Sequence, residues 1–181
     1  MRIVAGKYRG FSLHYPKTEL VRPTQDRVKE GLFSALSTFV DEADVLDLFC
    51  GCGSLGLESV SRGAKSVCFV DIDTRALLKN TTRFDEPFLI FRQDVLKFIS
   101  RCDQRFDLIF LDPPWTKLPF FERSLKAISE FDILKPLGRI ICEHPKDFSI
   151  QDIGLYQEIK MYRYGNTSIT ILGNYESNLS G

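Results

Sequence analysis

Histidine is scarce in this 181-residue chain, with only His14 and His144, and no two cysteines have the spacing of a zinc site. The five cysteines, Cys50, Cys52, Cys68, Cys102 and Cys142, make an odd count and read as reduced thiols, so neither a metal site nor a disulfide is expected. Long apolar runs are also missing. Stretches such as 67–70 and 108–111 fall far short of the roughly 20 residues a membrane helix needs. The first ten residues are too polar for a secretory signal, so a cytoplasmic protein with no membrane partner is expected. Net charge is lacking as well, since 24 basic side chains face 24 acidic ones. The charge is nevertheless uneven. Residues 1–30 carry seven basic groups against three acidic ones, a local surplus suited to touching phosphates or simply to facing water.

What is present, 44% hydrophobic and 27% charged residues, describes one globular domain with its own core. From residue 45 onward, β-rich runs at 45–49, 67–72, 88–91, 106–111, 139–143, 156–163 and 168–172 alternate with helical stretches near 54–62, 74–83, 95–102 and 120–131. That alternation predicts an α/β fold, a single Rossmann-like domain with a mostly parallel seven-stranded sheet. Gly165-Asn166-Thr167 is too short for a parallel crossover, so the last two strands form an antiparallel hairpin at the sheet edge. Upstream, Val28, Leu32, Ala35, Leu36 and Phe39 share a helical face, with Thr24 or Asp26 as its cap. Ile3-Val4 and Phe11-Ser12-Leu13 predict a small hairpin bearing the basic residues. The expected division is a basic arm over 1–23, the catalytic domain over 24–174 and a frayed tail over 175–181.

Gly51-Cys52-Gly53-Ser54-Leu55-Gly56 follows a strand and opens a helix, as a nucleotide loop must. Spacing alone does not separate a dinucleotide from S-adenosylmethionine or from a turn with no ligand. An ordered series supports binding: Asp47, the loop, Asp71 about 20 residues on where a ribose carboxylate belongs, and Asp94 near the end of the third strand. Taken singly, Asp94 reads as a helix cap.

Asp112-Pro113-Pro114-Trp115 follows the fourth strand and should share a rim with the glycine loop. The prolines fix two φ angles and remove two donors, leaving carbonyl oxygens and the Asp112 carboxylate as acceptors beside an aromatic face. An exocyclic base amine is a poor nucleophile because its lone pair is delocalised. Acceptors on both N–H groups favour a pyramidal nitrogen aimed at a sulfonium methyl. Trp115 would stack on the base, and the methylated amine is acidic enough to need no tuned general base. The bland alternative is a strand-ending loop whose tryptophan plugs the core.

These residues resemble the class I amino-methyltransferases, and more closely the bacterial 16S ribosomal RNA guanine-N2 methyltransferases of the RsmD family. The likeness spans nearly the whole chain: Arg2 to Gly10, Arg22 to Glu30, the loop through Leu55-Gly56-Leu57-Glu58, Asp112 to Trp115, and Tyr164-Gly165-Asn166-Thr167. It implies a class I methyltransferase domain with S-adenosylmethionine as cofactor, held by Asp47, Phe49, Gly51, Gly53, Asp71, Ile72, Asp94 and Val95. It further implies catalysis at Asp112, Pro113, Pro114 and Trp115. The implied partner is 16S rRNA, in a small ribosomal subunit or an assembly intermediate, with a monomeric protein touching it through Lys7, Arg9, Arg22 and Arg27. Asp71 stands where the family more often has Glu, Asn166 replaces a common Asp, and Trp115 a commoner Phe or Tyr. Cys50 and Cys52 replace small loop residues as space-fillers.

Three rival readings carry weight. A nicotinamide dehydrogenase would satisfy Gly51, Gly53 and Gly56 but leaves Asp112 to Trp115 idle. A silent RNA-binding module leaves the cofactor series unexplained. An adenine-N6 or cytosine-N4 enzyme would use the same acceptors, but a DNA enzyme generally adds a region to read base edges, and the chain after Pro113 has no room for one.

Overall fold

A computed structural model describes residues 1–15, 26–151 and 153–174. The seven expected strands are present: β1 (Asp44–Leu48), β2 (Ser66–Asp71), β3 (Leu89–Arg92), β4 (Phe106–Leu111), β5 (Leu134–Pro145), β6 (Tyr156–Tyr164) and β7 (Thr167–Asn174). They form one sheet in the order β3-β2-β1-β4-β5-β7-β6, parallel except for β7, which runs antiparallel to both β5 and β6. A two-residue turn, Gly165-Asn166, joins the last two strands, and β7 inserts between β5 and β6, so only β6 takes the edge. Composition explains that order. β7 is apolar and buried over Ser168–Gly173, whereas β6 alternates polar and apolar along its length.

Successive side chains point to opposite faces, and each face builds its own core. Val45, Phe69, Phe110, Ile141 and Ile171 pack beneath α1 (Asp26–Ala35) and α3 (Ser54–Ser61). Leu46, Val70, Ile109, Cys142 and Leu172 pack beneath α5 (Val95–Ile99) and α6 (Phe120–Glu130). Two further helices, α2 (Ser37–Val40) and α4 (Arg75–Thr81), complete the order, and among the described residues no helix is long and apolar enough to cross a membrane.

One expectation changes and another is sharpened. The single amphipathic helix through Phe39 breaks at Leu36 (φ −96°, ψ 8°), between α1 and α2. Phe33 and Val40 therefore enter the core, while Phe39 is left 37% exposed under the Arg139 guanidinium. The small N-terminal hairpin is present but short: the Arg2–Ser12 bridge is flanked by Ile3 N–H to Phe11 O and Gly10 N–H to Ile3 O at 2.9 Å each and Leu13 N–H to Met1 O at 3.1 Å, while the Ile3, Tyr8 and Leu13 side chains turn into the core beside α3. The 23/24 boundary, the Thr24 cap, Arg22 and the tail 175–181 lie outside the described residues.

Candidate active site

The carboxyl ends of β1, β2, β4 and β5 form one rim, and the glycine loop occupies the gap between β1 and α3. Gly51 (φ 55°) and Gly53 (φ 80°) are left-handed, as is Phe49 (φ 59°), a strained value for a side chain with a Cβ. A Cβ on Gly53 would lie 2.4 Å from Leu77, and one on Gly56 would lie 2.3 Å from Phe69. A Cβ on Gly51 would meet nothing within 4 Å, so this turn faces open space where a ligand can approach the backbone.

Carboxylates hold the loop in shape. Asp47 accepts from the Gly56 N–H at 2.9 Å, and Asp71 accepts from Gly51 at 2.9 Å with one oxygen and from Asp73 at 2.9 Å with the other. Each Asp71 oxygen keeps a second lone pair, so loop support and ribose binding are compatible. Burial pushes the Asp47 carboxyl up to about 7; the Gly56 bond opposes this and the Asp71 charge adds to it. Ile72 follows with 66% of its surface exposed, an apolar side chain left facing water. Asp94 caps α5 through the Lys97 N–H at 3.0 Å, and the Val95 side chain turns into the core.

Strand register brings Asp112 into this group. Leu48 pairs with Leu111 and Leu111 with Cys142, so Asp112 and Glu143 sit side by side just past the paired positions, on the same face as Asp47. Burial first, then the Glu143 and Asp47 charges, raise the Asp112 carboxyl well above the usual carboxylate range. Pro113 is buried, Pro114 is exposed, and Trp115 opens a short 3-10 turn, Trp115–Lys117, closed by Lys117 N–H to Pro114 O at 2.7 Å.

Sequence reasoning missed Glu143, whose signal is a lone acid in the apolar run Ile140-Ile141-Cys142. It also missed the support beneath the loop. Lys29 and Glu58 are fully buried and paired at 3.3 Å. The Lys29 ammonium also donates to Ser54 Oγ (3.2 Å) and Arg2 O (2.6 Å), while Glu58 accepts from Val4 N, Ala5 N and Arg62 Nε. One ion pair thus joins α1, α3 and the N-terminal segment just behind the loop. Asn80 does the same from α4, donating to Cys52 O and His14 O at 2.9 Å each.

The basic residues divide. Arg27 is exposed in the first turn of α1. Lys7 and Arg9 sit on a turn held by Lys7 N to Ser61 O at the far end of α3, and the Lys7 ammonium is committed to Glu86 at 2.8 Å. They lie at the opposite end of the sheet from Asp112. Cys50 and Cys52 are buried thiols whose pKa burial raises, which suits packing. His144 is locked between Thr170 Oγ1 and Pro145 O, both at 2.9 Å, while His14 is exposed. Among the described residues no group of three or more His, Cys, Asp or Glu could hold a metal ion.

A family model described as "Conserved hypothetical protein 95" matches residues 1–173. The chain belongs to this family, the RsmD methyltransferases. A relative from Haemophilus influenzae, named ribosomal RNA small subunit methyltransferase D, is 37% identical over 155 residues, covering 81% of this chain and 80% of that one. YlbH of Bacillus subtilis is 32% identical over 184 residues, covering 94% and 97%. Among solved structures, yhhF from Escherichia coli superposes with a TM-score of 0.85 at 26% identity, over 96% of this chain and 97% of that one. The dehydrogenase reading is thereby set aside. Trp115 is only half-buried, so it does not plug the core.

Proposed function

We propose that the chain transfers a methyl group from S-adenosylmethionine to the exocyclic N2 of a guanine in 16S rRNA, in a small ribosomal subunit or an assembly intermediate. The observation that carries the reading is the alignment of Asp47, Asp112 and Glu143 on one sheet face, beside a glycine turn that opens to solvent at Gly51. The rRNA substrate is supported by the Haemophilus influenzae relative's name, and the guanine by the motif resemblance.

The residues present fit the cofactor. Gly51 admits close approach to the backbone, Gly53 lets the loop turn tightly against Leu77, Asp47 and Asp71 would offer carboxylates to its ammonium and ribose, and Ile72 and Asp94 would flank the adenine. When bound, the cofactor supplies a methyl on a positively charged sulfonium. Three neighbouring carboxyls whose charges oppose one another suit a cationic guest, because each gains when a positive charge enters a buried site. Asp112 and the Pro113 carbonyl would then accept the two N–H bonds of the base amine and direct its lone pair. Trp115 would hold the base in line, and the proton lost after transfer goes to Asp112 or to water.

The test is transfer of a labelled methyl to unmodified small-subunit rRNA followed by nucleoside analysis. Label in N2-methylguanosine is expected. Label confined to N6-methyladenine would overturn the base assignment.

A further inference from the structure

Just past the Asp112–Trp115 motif, Lys117 and Arg123 both lean over the Phe120 ring, with the ammonium 5.7 Å and the guanidinium 5.2 Å from its centre. Phe120 in turn meets Phe49 edge-on at 5.7 Å. Phe49 is the left-handed residue that leads into the glycine loop, so this aromatic pair links the cofactor loop to the start of α6. Two cations are thereby fixed at the lip of the site. Holding long charged side chains in place costs rotamer freedom, and the ring offsets part of that cost by cation–π attraction.

The shared ring sets these two cations apart, since among the described residues Arg83, Arg139 and Lys160 also lack an ion pair but each meets an aromatic ring alone. Lys7, Lys29, Arg62, Arg75, Arg105 and Lys135 each have a carboxylate within 4 Å, whereas among the described residues Lys117 and Arg123 have none. Both are exposed, and Glu122, the acid in the first turn of α6, pairs with neither. Unneutralised cations brought together beside a nucleotide site have a natural partner in the phosphodiester backbone, since each phosphate they engage releases condensed counterions. A base drawn out of its stack also needs its flanking phosphates held, or the strand slides as the base enters.

We infer that Lys117 and Arg123, positioned by Phe120, grip the RNA phosphates that flank the target nucleotide. The assignment rests on the RNA reading above and adds to it the surface that receives the strand. Phe120 acts as a positioning residue, because its ring is already engaged by the two cations.

The experiment compares Lys117→Gln/Arg123→Gln with Lys65→Gln/Arg101→Gln, two exposed cations at the opposite end of the sheet, on an unmodified small-subunit rRNA transcript. Methyl-transfer kinetics, cofactor affinity and RNA binding across a salt series would be read. The lip variant should raise KM and RNA Kd about tenfold or more, with kcat and cofactor affinity unchanged. Its log–log salt slope should fall by about two. Phe120→Leu should raise KM about threefold, and the far-end variant less than twofold. Equal Kd and salt slopes for the lip and far-end variants would overturn the inference, as would a lip defect confined to kcat. If the wild type binds the transcript but forms no N2-methylguanosine, the base assignment fails while the binding comparison still decides this proposal. If the wild type shows no salt-dependent RNA binding, both fail.

Discussion

The two ends of the sheet handle charge differently. Where the strands begin, opposite signs are brought together: Lys135 bonds Asp44 and Asp107 at 2.8 and 2.7 Å, Arg105 pairs with Asp132, and Lys7 reaches Glu86. Where the parallel strands end, Arg75 pairs with Asp73, but like signs are crowded as well. Asp47, Asp112 and Glu143 share a face, while Lys117 and Arg123 share a ring. The first arrangement minimises the folded protein's own energy. The second leaves charge for a cationic cofactor and an anionic strand to complete, so the uncomplexed protein carries a cost that binding relieves.

That contrast can be broken experimentally, beginning with the support beneath the rim. Glu58→Ala strands Lys29 in the core and should destabilise the protein by about 3–5 kcal/mol, measured by urea unfolding. The pH dependence should be nearly as large. Asp47 is protonated in the folded state up to about pH 7 but ionises near pH 4 once unfolded, so the folded state binds the extra proton between these values. Stability of the cofactor-free protein should therefore fall as pH rises from about 4 to 7, by up to roughly 4 kcal/mol. S-adenosylmethionine should flatten that slope in thermal melts at a series of pH values, and an unchanged slope would deny Asp47 contact with positive charge.

Asp112→Ala should lower kcat about 100-fold or more while cofactor affinity by calorimetry stays within a few fold. Full activity would sink the acceptor mechanism. The smallest effect belongs to the opposite end, where Lys135→Met should cost less than about 1 kcal/mol, because that pair is partly exposed and screened. A larger loss there than for Glu58→Ala would reverse the comparison.

Much of this architecture was legible in the sequence because it depends on local rules. β-rich apolar runs alternating with helical stretches predict all seven strands, and Gly51 and Gly53 announce a turn that only left-handed backbone can make. The Asp47, Asp71 and Asp112 positions follow from being at or just past strand ends. Composition, by contrast, treats all lysines alike. Lys29 and Lys7 fall in one basic segment, yet one is buried behind the loop and the other is neutralised at the far end of the sheet.

What the sequence determined by itself was the repertoire of elements and the two motifs, since strand pleating, glycine freedom and proline rigidity are fixed within a few residues. Tertiary structure alone decided which charges meet. Glu58 lies 29 residues from Lys29, and Glu143 lies 31 from Asp112, and strand register and helix packing bring each pair together. The assembled interior also decides the protonation of Asp47, because desolvation by a whole core is a property no single segment possesses.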